Sequence, residues 1–412
     1  MAKKRGRQKV PDVVVAGGGP VGMTLALALK RFGPDMAVTL IDARPLAVPR
    51  DARATAISAG VSAVFAALGL WDEMAAQASP ITAMKVTDSG AGDIFRPVYL
   101  DFAGEVAPGR AFAHMLENTV AARVLIEAVK ASGIEVIAPA AVTGLATDAS
   151  TATVTLGDGR AVSAPLVVAA DGGRSALRGM AGIAVTDRDY GQSGLVATIA
   201  HQLPHAGVAY EHFLPAGPLA SLPLPGNRSS LVWTERHAEA AALMAMTNEA
   251  LAAEIEARMG SVFGKVGLED KLQAFPLRLV LARAMIADRL ALVGDAAHVV
   301  HPIAGQGLNL GLKDVAALAE VLIEALRLGE DIGGPAVLER YQRWRRFDVT
   351  RMAALTDGLN RLFSNDIEPL RALRDSGLGI VDRLPGLKKA MIAQAAGVAG
   401  DGGPKLLRGL AI

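Results

Sequence analysis

Residues 12–33, DVVVAGGGPVGMTLALALKRFG, limit what the chain can fold into more than any other segment. Val13 to Val15 are a continuous apolar run, the form a strand takes when both faces of a parallel sheet are covered. Gly17, Gly19 and Gly22 then fit G-x-G-x-x-G, and helical character runs from Met23 to Arg31 before the Gly33-Pro34 stop. A second strand, Ala37 to Ile41, ends on Asp42, twenty residues past Gly22. Strand, glycine turn, helix, strand and terminal acid together make the full dinucleotide fingerprint. Gly17 allows the tight turn, Gly19 lets the backbone approach a pyrophosphate, Gly22 lets helix and strand pack closely, and Asp42 accepts from an adenosine ribose. The pattern predicts a nucleotide-binding βαβ unit and does not separate FAD from NAD.

Two later segments use the same device, a buried strand that hands an acid to a glycine turn. Ala161 to Ala170 reads as a strand ending at Asp171-Gly172, followed by Gly173-Arg174-Ser175. Leu290 to Val293 reads as a strand ending at Gly294-Asp295, after which a glycine-punctuated loop enters a helix near Leu308-Asn309. A carboxylate there can accept from sugar-like hydroxyls, while the free N–H groups of the helix start favour negative charge. A flavin needs both. Asp295 would hold its ribityl chain, and the amides around Leu308 and Asn309 would face the N1–C2=O edge, which becomes anionic on reduction. An ordinary strand–loop–helix connection is the competing reading. Arg53, in the basic loop 44–59, reads either as a pyrophosphate neighbour or as a solvent-facing arginine. His298 and His301 flank the glycine loop and are candidates for proton relay or phenol ionisation. A role in ordering the loop through backbone hydrogen bonds is the preferred reading.

A chain of 412 residues is long enough for two lobes with a shared core. With no cysteine, disulfides, thiolate nucleophiles, zinc fingers, iron–sulfur ligation and a cysteinyl flavin link all drop out, and no metal is expected. A net charge of +1 and 4 % aromatics argue against nucleic acid as a partner. No apolar run approaches the ~18 residues needed to span a bilayer, and the start lacks a signal peptide's apolar core. Residues 1–10 carry Lys3, Lys4, Arg5, Arg7 and Lys9, a basic arm that reads as a disordered tail, with contact to anionic lipid as the sharper alternative. A cytoplasmic protein is expected, with peripheral contact at the inner membrane face as an option. Helices are expected over Val61–Leu68, Glu117–Ser132 (with Asn118 near its start) and about Asn248–Met259. Residues 190–235 read as an antiparallel sheet in which Trp233, Phe213 and the strand residues around Leu222 and Leu224 are candidates for a substrate-cavity wall, with core packing the preferred reading. The chain beyond Leu312 is mainly helical, with a basic stretch Arg340 to Arg351 and a tail carrying Lys388, Lys389, Lys405 and Arg408.

The glycine fingerprint at 17–22, Asp171-Gly172 and Gly294-Asp295, in this order and spacing, resemble the nucleotide-facing elements of the single-domain FAD-dependent aromatic hydroxylases of para-hydroxybenzoate-hydroxylase-like fold. Among these the chain is most similar to the ubiquinone-biosynthesis hydroxylases of the 2-polyprenylphenol type. DARATAISAG at 51–60, DGGRSALR at 171–178, YGQSGLVATI at 190–199, GPLASLPLP at 217–225 and HPIAGQGLNLGLKD at 301–314 carry the likeness, which extends over nearly the whole chain. It implies an α/β (mixed α+β) architecture: a Rossmann-like FAD-binding lobe (11–74 with 111–180 and 286–345), an antiparallel-sheet substrate lobe interleaved with it (75–110 with 181–285), and a C-terminal helical region (346–412). It further implies that Gly17, Gly19, Gly22, Asp42 and Arg53 hold the ADP half of non-covalent FAD, with Asn118 a polar contact. Asp171 and Gly172 would touch the pyrophosphate and a passing NAD(P)H. Asp295 would bind ribitol, and Pro302, Gly305, Gly307, Leu308 and Asn309 would line the ring. The implied reaction is NAD(P)H- and O2-dependent hydroxylation of a polyprenylated phenol through a C4a-hydroperoxyflavin, with no side chain assigned as nucleophile. Other quinone-biosynthesis proteins and a membrane surface are implied as partners. A monooxygenase of small soluble phenols and a non-catalytic FAD-binding subunit are the alternatives.

Overall fold

The computed structural model describes residues 10–88, 98–103, 105–107, 110–364, 396–397 and 403–412. The fingerprint strand Val13–Ala16 is fully buried and lies inside a six-stranded sheet. In spatial order the strands are Glu135–Ile137, Val38–Ile41, Val13–Ala16, Leu166–Ala169, Leu290–Leu292 and Ile286–Ala287. The first five run parallel and the last turns back antiparallel. Register aligns Ala16 with Ala169 and Ala169 with Leu292. The turns that follow, at Gly17, Asp171-Gly172 and Gly294-Asp295, therefore emerge side by side at the carboxyl edge of one sheet, where ligands of open α/β sheets bind. Helix Pro20–Phe32 packs against both Asn118–Ala131 and Gly307–Leu328, and all three bury their apolar residues in the core shared with the sheet.

A nine-stranded sheet stands beside it. Its path is His298–Val299, Gln273–Ala282, Val185–His201, Arg228–Arg236, Gly217–Leu224, Val208–Leu214, Ala83–Asp88 and Val98–Ala103, with Val266–Leu268 paired to Val185–His201 off the path. Side chains alternate across a sheet. On one face Leu195, Ala197, Ile199, Leu231 and Trp233 form a core with helices His237–Met244 and Asn248–Met259, and on the other Gly194, Val196 and Val232 line a cavity.

Several sequence expectations shift in detail. Ala161–Ala170 is two strands, Ala161–Ala164 and Leu166–Ala169, in different sheets. Pro165 separates them, having no N–H with which to continue a ladder. The helix expected from Val61 begins at Ala59, and the helix expected near Leu308 begins at Gly307. Helix His237–Met244, directly after the sheet region, was not anticipated. The basic arm 1–9 and the basic positions Lys388 and Lys389 lie outside the described residues.

Helix Pro335–Phe363, 29 residues long, ties the two sheets together. Near its start Tyr341 donates its hydroxyl to the Leu292 carbonyl in the parallel sheet (2.7 Å). At its end Phe363 stacks on Phe213 (ring centroids 4.1 Å), and Asn360 donates to Gln192 (2.9 Å), both in the nine-stranded sheet.

Candidate active site

The carboxyl edge of the parallel sheet and the open face of the nine-stranded sheet enclose a cavity of about 560 Å3. Its lining joins Gly19, Arg53, Asn118, Gly172, Asp295, Pro302, Gly305, Gly307 and Leu308 to an apolar wall that includes Met84, Ala209, Leu222 and Val232. Most of the residues singled out in the sequence thus meet in one space.

The three fingerprint glycines are demanded by different things. Gly17 has φ +121°, and a Cβ there would lie 2.1 Å from the Ala170 carbonyl oxygen. A Cβ on Gly22 would lie 1.9 Å from the Gly17 oxygen. Both are excluded by the protein's own backbone. A Cβ on Gly19 would meet no described protein atom within 4 Å, and Gly19 lines the cavity, so the fold itself does not require glycine there. Asp42 accepts from the amides of Gly18 (2.6 Å) and Arg44 (2.7 Å), which fixes its carboxylate beside the glycine turn.

Arg53 pairs with Asp51 (2.8 Å) and lies over the Phe275 ring, 4.9 Å from its centroid. Asn118 donates to Asp51 (3.1 Å) and accepts from Thr55 (2.8 Å), so it positions the loop that presents Arg53 as well as lining the cavity. Asp171 uses one carboxylate oxygen to accept from the Leu177 amide (3.2 Å), and its other oxygen is buried with no partner among the described residues. Asp295 accepts no hydrogen bond from the described residues. It lines the cavity and is solvent-exposed there, yet the protein packed around it desolvates the carboxyl and raises its pKa against the opposing pull of His298 and Arg53. An acid held open in that way fits the polyol demand placed on it from the sequence.

Gln306 precedes the first turn of the helix Gly307–Leu328, whose leading amides have no partner within the helix and stand at the cavity wall. Gly305 has φ +61°, which sets the turn into that helix. Asn309 does not offer its side chain to the cavity. Its amide donates to the Ala56 carbonyl (2.8 Å) and accepts from the Ser58 amide (3.0 Å), clamping strand Ala54–Ser58 to the loop. The orphan oxygen of Asp171, the open carboxylate of Asp295, the space at Gly19 and the helix start fit a dinucleotide bearing a polyol and a ring that gains negative charge.

The two histidines turn away from the cavity. His298 is buried with Nε2 2.6 Å from Asp314, and it is Nε2 that donates. His301 is fully buried, accepts from the Ile303 amide at Nδ1 (3.3 Å) and packs edge-on against Tyr190 (5.0 Å). Burial pushes its pKa down to about 4, so the ring is neutral at physiological pH. These contacts support the loop-ordering reading. His301→Gln is expected to keep the wild-type pH profile of turnover and a kcat within about threefold, whereas loss of a general base costs 10²–10⁴. A profile that changes shape between pH 6 and 9 would count against this.

Three residues escaped the sequence reading. Gly311 lets its helix close onto Gly294, since a Cβ there would lie 2.9 Å from Val21 and 3.0 Å from the Gly294 Cα. Asp314 anchors the loop from beneath, accepting from the Gly294 amide (2.9 Å), His298 and Arg345 (2.7 Å). Glu211 puts a buried carboxyl into the apolar wall. Of the wall candidates, Leu222 lines the cavity, while Trp233 and Leu224 are core and Phe213 packs on Phe363.

The model of a family described as FAD binding domain matches residues 11–356. The chain is 43 % identical over 409 residues to the ubiquinone hydroxylase UbiL of Rhodospirillum rubrum, covering 98 % of this chain and 94 % of the relative. It is 35 % identical over 393 residues to the 3-demethoxyubiquinol 3-hydroxylase of Escherichia coli, covering 94 % of this chain and 98 % of the relative. The fold superposes on the crystal structure of a p-nitrophenol 4-monooxygenase from Pseudomonas putida with a TM-score of 0.77, at 20 % identity, over 93 % of this chain and 97 % of the other.

Proposed function

The chain belongs to the FAD binding domain family and is an FAD-dependent monooxygenase, and we propose that the ring it hydroxylates is that of a polyprenylated phenol in ubiquinone biosynthesis. The observation that carries this reading is the continuity of the cavity: a nucleotide cradle on one side opens directly onto an apolar sheet wall on the other. Gly17, Gly19, Gly22, Asp42 and Arg53 hold the ADP half of FAD, with Asp171 and Gly172 at the pyrophosphate. Asp295 holds the ribityl chain, and the amides of Gly307, Leu308 and Asn309 face the ring edge that gains charge. Bound FAD, reduced by NAD(P)H, supplies the activated oxygen. The chain's own work is to orient the phenol, exclude water and present fixed dipoles to developing charge. The discontinuous FAD-binding lobe and the substrate lobe interleaved with it meet at this cavity.

Among the described residues no helix is long and apolar enough to cross a membrane. For a lipid substrate, peripheral contact at the inner membrane face of a cytoplasmic protein follows, alone or beside other quinone-biosynthesis proteins. Along helix Pro335–Phe363 Arg343, Phe347, Arg351 and Leu355 are exposed at spacing four, two apolar side chains beside two cations, of which Arg351 pairs with Asp348 (3.1 Å), and this is the stretch we assign to the membrane contact. Lys405 is engaged with Glu320 and Glu324 and does not add to it.

Flavin-loaded protein, given NADH or NADPH, O2 and 2-farnesylphenol, is expected to release a product heavier by one oxygen, seen by mass spectrometry. It is also expected to float with vesicles containing anionic lipid. Turnover of small water-soluble phenols alone would move the substrate class, and retained FAD without NAD(P)H oxidation would make the protein a binding subunit.

A further inference from the structure

Glu211 stands where an apolar lining offers no reason for a carboxyl. It lies on Val208–Leu214, opposite Ala220 and Val86 in register, and is 6 % exposed. Met84, Ala209, Pro218, Ala220 and Leu222 line the cavity around it. Its carboxylate has no hydrogen-bond partner among the described residues, although a buried polar group normally has one. Other charged groups do not account for it. His212, next in sequence, points to the other face and bonds Thr87 (2.5 Å). The end of helix Pro335–Phe363 packs Leu359, Leu362 and Phe363 at this corner, and Asp88 stands two register positions beyond Val86. Arg53, Arg278 and Asp295 line the same cavity. Burial alone pushes the Glu211 pKa up to about 7.

We propose that Glu211 is a catalytic residue that hydrogen-bonds the ring hydroxyl of the phenol and accepts its proton. The inference rests on the substrate class assigned above and adds to it the group that recognises the hydroxyl. The Glu211 carboxylate takes the O–H proton, and the electron pair left on the oxygen feeds into the ring as a ring carbon bonds one oxygen atom of O2. The O–O bond breaks, the second oxygen leaves as water, and the two electrons come from the reduced cofactor. That carbon then loses its hydrogen as a proton to solvent, the proton on Glu211 returns to the ring oxygen, and the carboxylate is regenerated. A base that titrates near neutrality is poised for this exchange at physiological pH.

The test uses the flavin-loaded enzyme with 2-farnesylphenol and its methyl ether, which has no proton to give. Wild-type kcat is expected to rise with pH through about 7, and binding, followed by flavin absorbance at pH 8, to favour the phenol over the ether by roughly tenfold or more. Glu211→Gln is expected to lose about 100-fold in kcat, with a much smaller change in KM and a flat profile between pH 6 and 8. Glu211→Leu is expected in addition to lose the preference for phenol over ether. Wild-type rate and pH profile in E211Q would overturn the assignment. Equal wild-type affinity for phenol and ether would overturn it even if neither variant folds. Failure of the flavin-loaded wild type to hydroxylate any prenylated phenol would instead remove the substrate class, and the assignment with it.

Discussion

Asp314→Ala is expected to lower the unfolding free energy by about 3–5 kcal/mol, the cost of removing one partner from a buried ion pair. Asp314 is fully buried on helix Gly307–Leu328 and holds the Gly294 amide, His298 and Arg345 together. Without it Arg345, 3 % exposed, keeps only Asp348 (2.7 Å) as a carboxylate partner. Burial by itself would raise the Asp314 pKa, but His298 and Arg345 outweigh it and the net shift is downward. A carboxyl depressed in the native state contributes its full stability above its unfolded value, near 4, and loses it as pH falls through the native value. The deficit of the variant in urea unfolding is therefore expected to be constant from pH 8 to about 5 and to shrink only in stronger acid. Because the same carboxylate pins the loop that carries Asp295, flavin release should be faster as well. A loss below about 1 kcal/mol would show that the network has no structural weight.

The fingerprint glycines are expected to fail in two distinct ways. Gly17→Ala and Gly22→Ala each drive a Cβ to about 2 Å from a carbonyl oxygen, at 2.1 and 1.9 Å respectively, and the strand–helix junction cannot form without shifting. Little soluble protein is expected from either. A Cβ at position 19 has no described protein atom within 4 Å, so the melting temperature of flavin-free Gly19→Val should stay near wild type. Flavin affinity should nevertheless fall by about 100-fold or more, because the new side chain fills space needed for backbone contact with the pyrophosphate. Flavin content measured beside the melting temperature separates the cases. G19V protein that retains FAD normally would mean that the cradle lies elsewhere.

The edge of the parallel sheet was legible in the sequence because backbone sterics dictate it locally: few alternatives to glycine fit at 17 and 22, and an acid ending a buried strand is rare unless something binds there. The place where Ala161–Ala170 breaks was also on view, in Pro165, once its missing N–H is weighed against the apolar run around it. Glu211 was hidden for a different reason. In a strand of alternating faces an isolated carboxylate reads as a solvent-facing residue, and only the second covered face of the nine-stranded sheet makes it buried. Asp314, His298 and Arg345 are joined across 16 and 31 residues of sequence. No local pattern announces such a tie, since an acid on a helix ordinarily reads as its solvent side. Asn309 sat in a recognised motif, yet its work proved to be on the Ala56–Ser58 backbone, a partner some 250 residues away.

The parallel sheet has a consequence for how the chain reaches its native state. Strand Val13–Ala16 waits for Leu166–Ala169, and that strand waits in turn for Leu290–Leu292. Each closure brings together segments separated by more than a hundred residues, and the entropy lost in making such long loops must be met before the pairing returns anything. During synthesis the apolar edge at Leu166–Ala169 has no neighbour until the segment around residue 290 has left the ribosome. With the strand's inner edge paired to Val13–Ala16, the nascent protein must therefore keep the outer edge of that hydrophobic strand from aggregating while the residues between Ala169 and Leu290 are made.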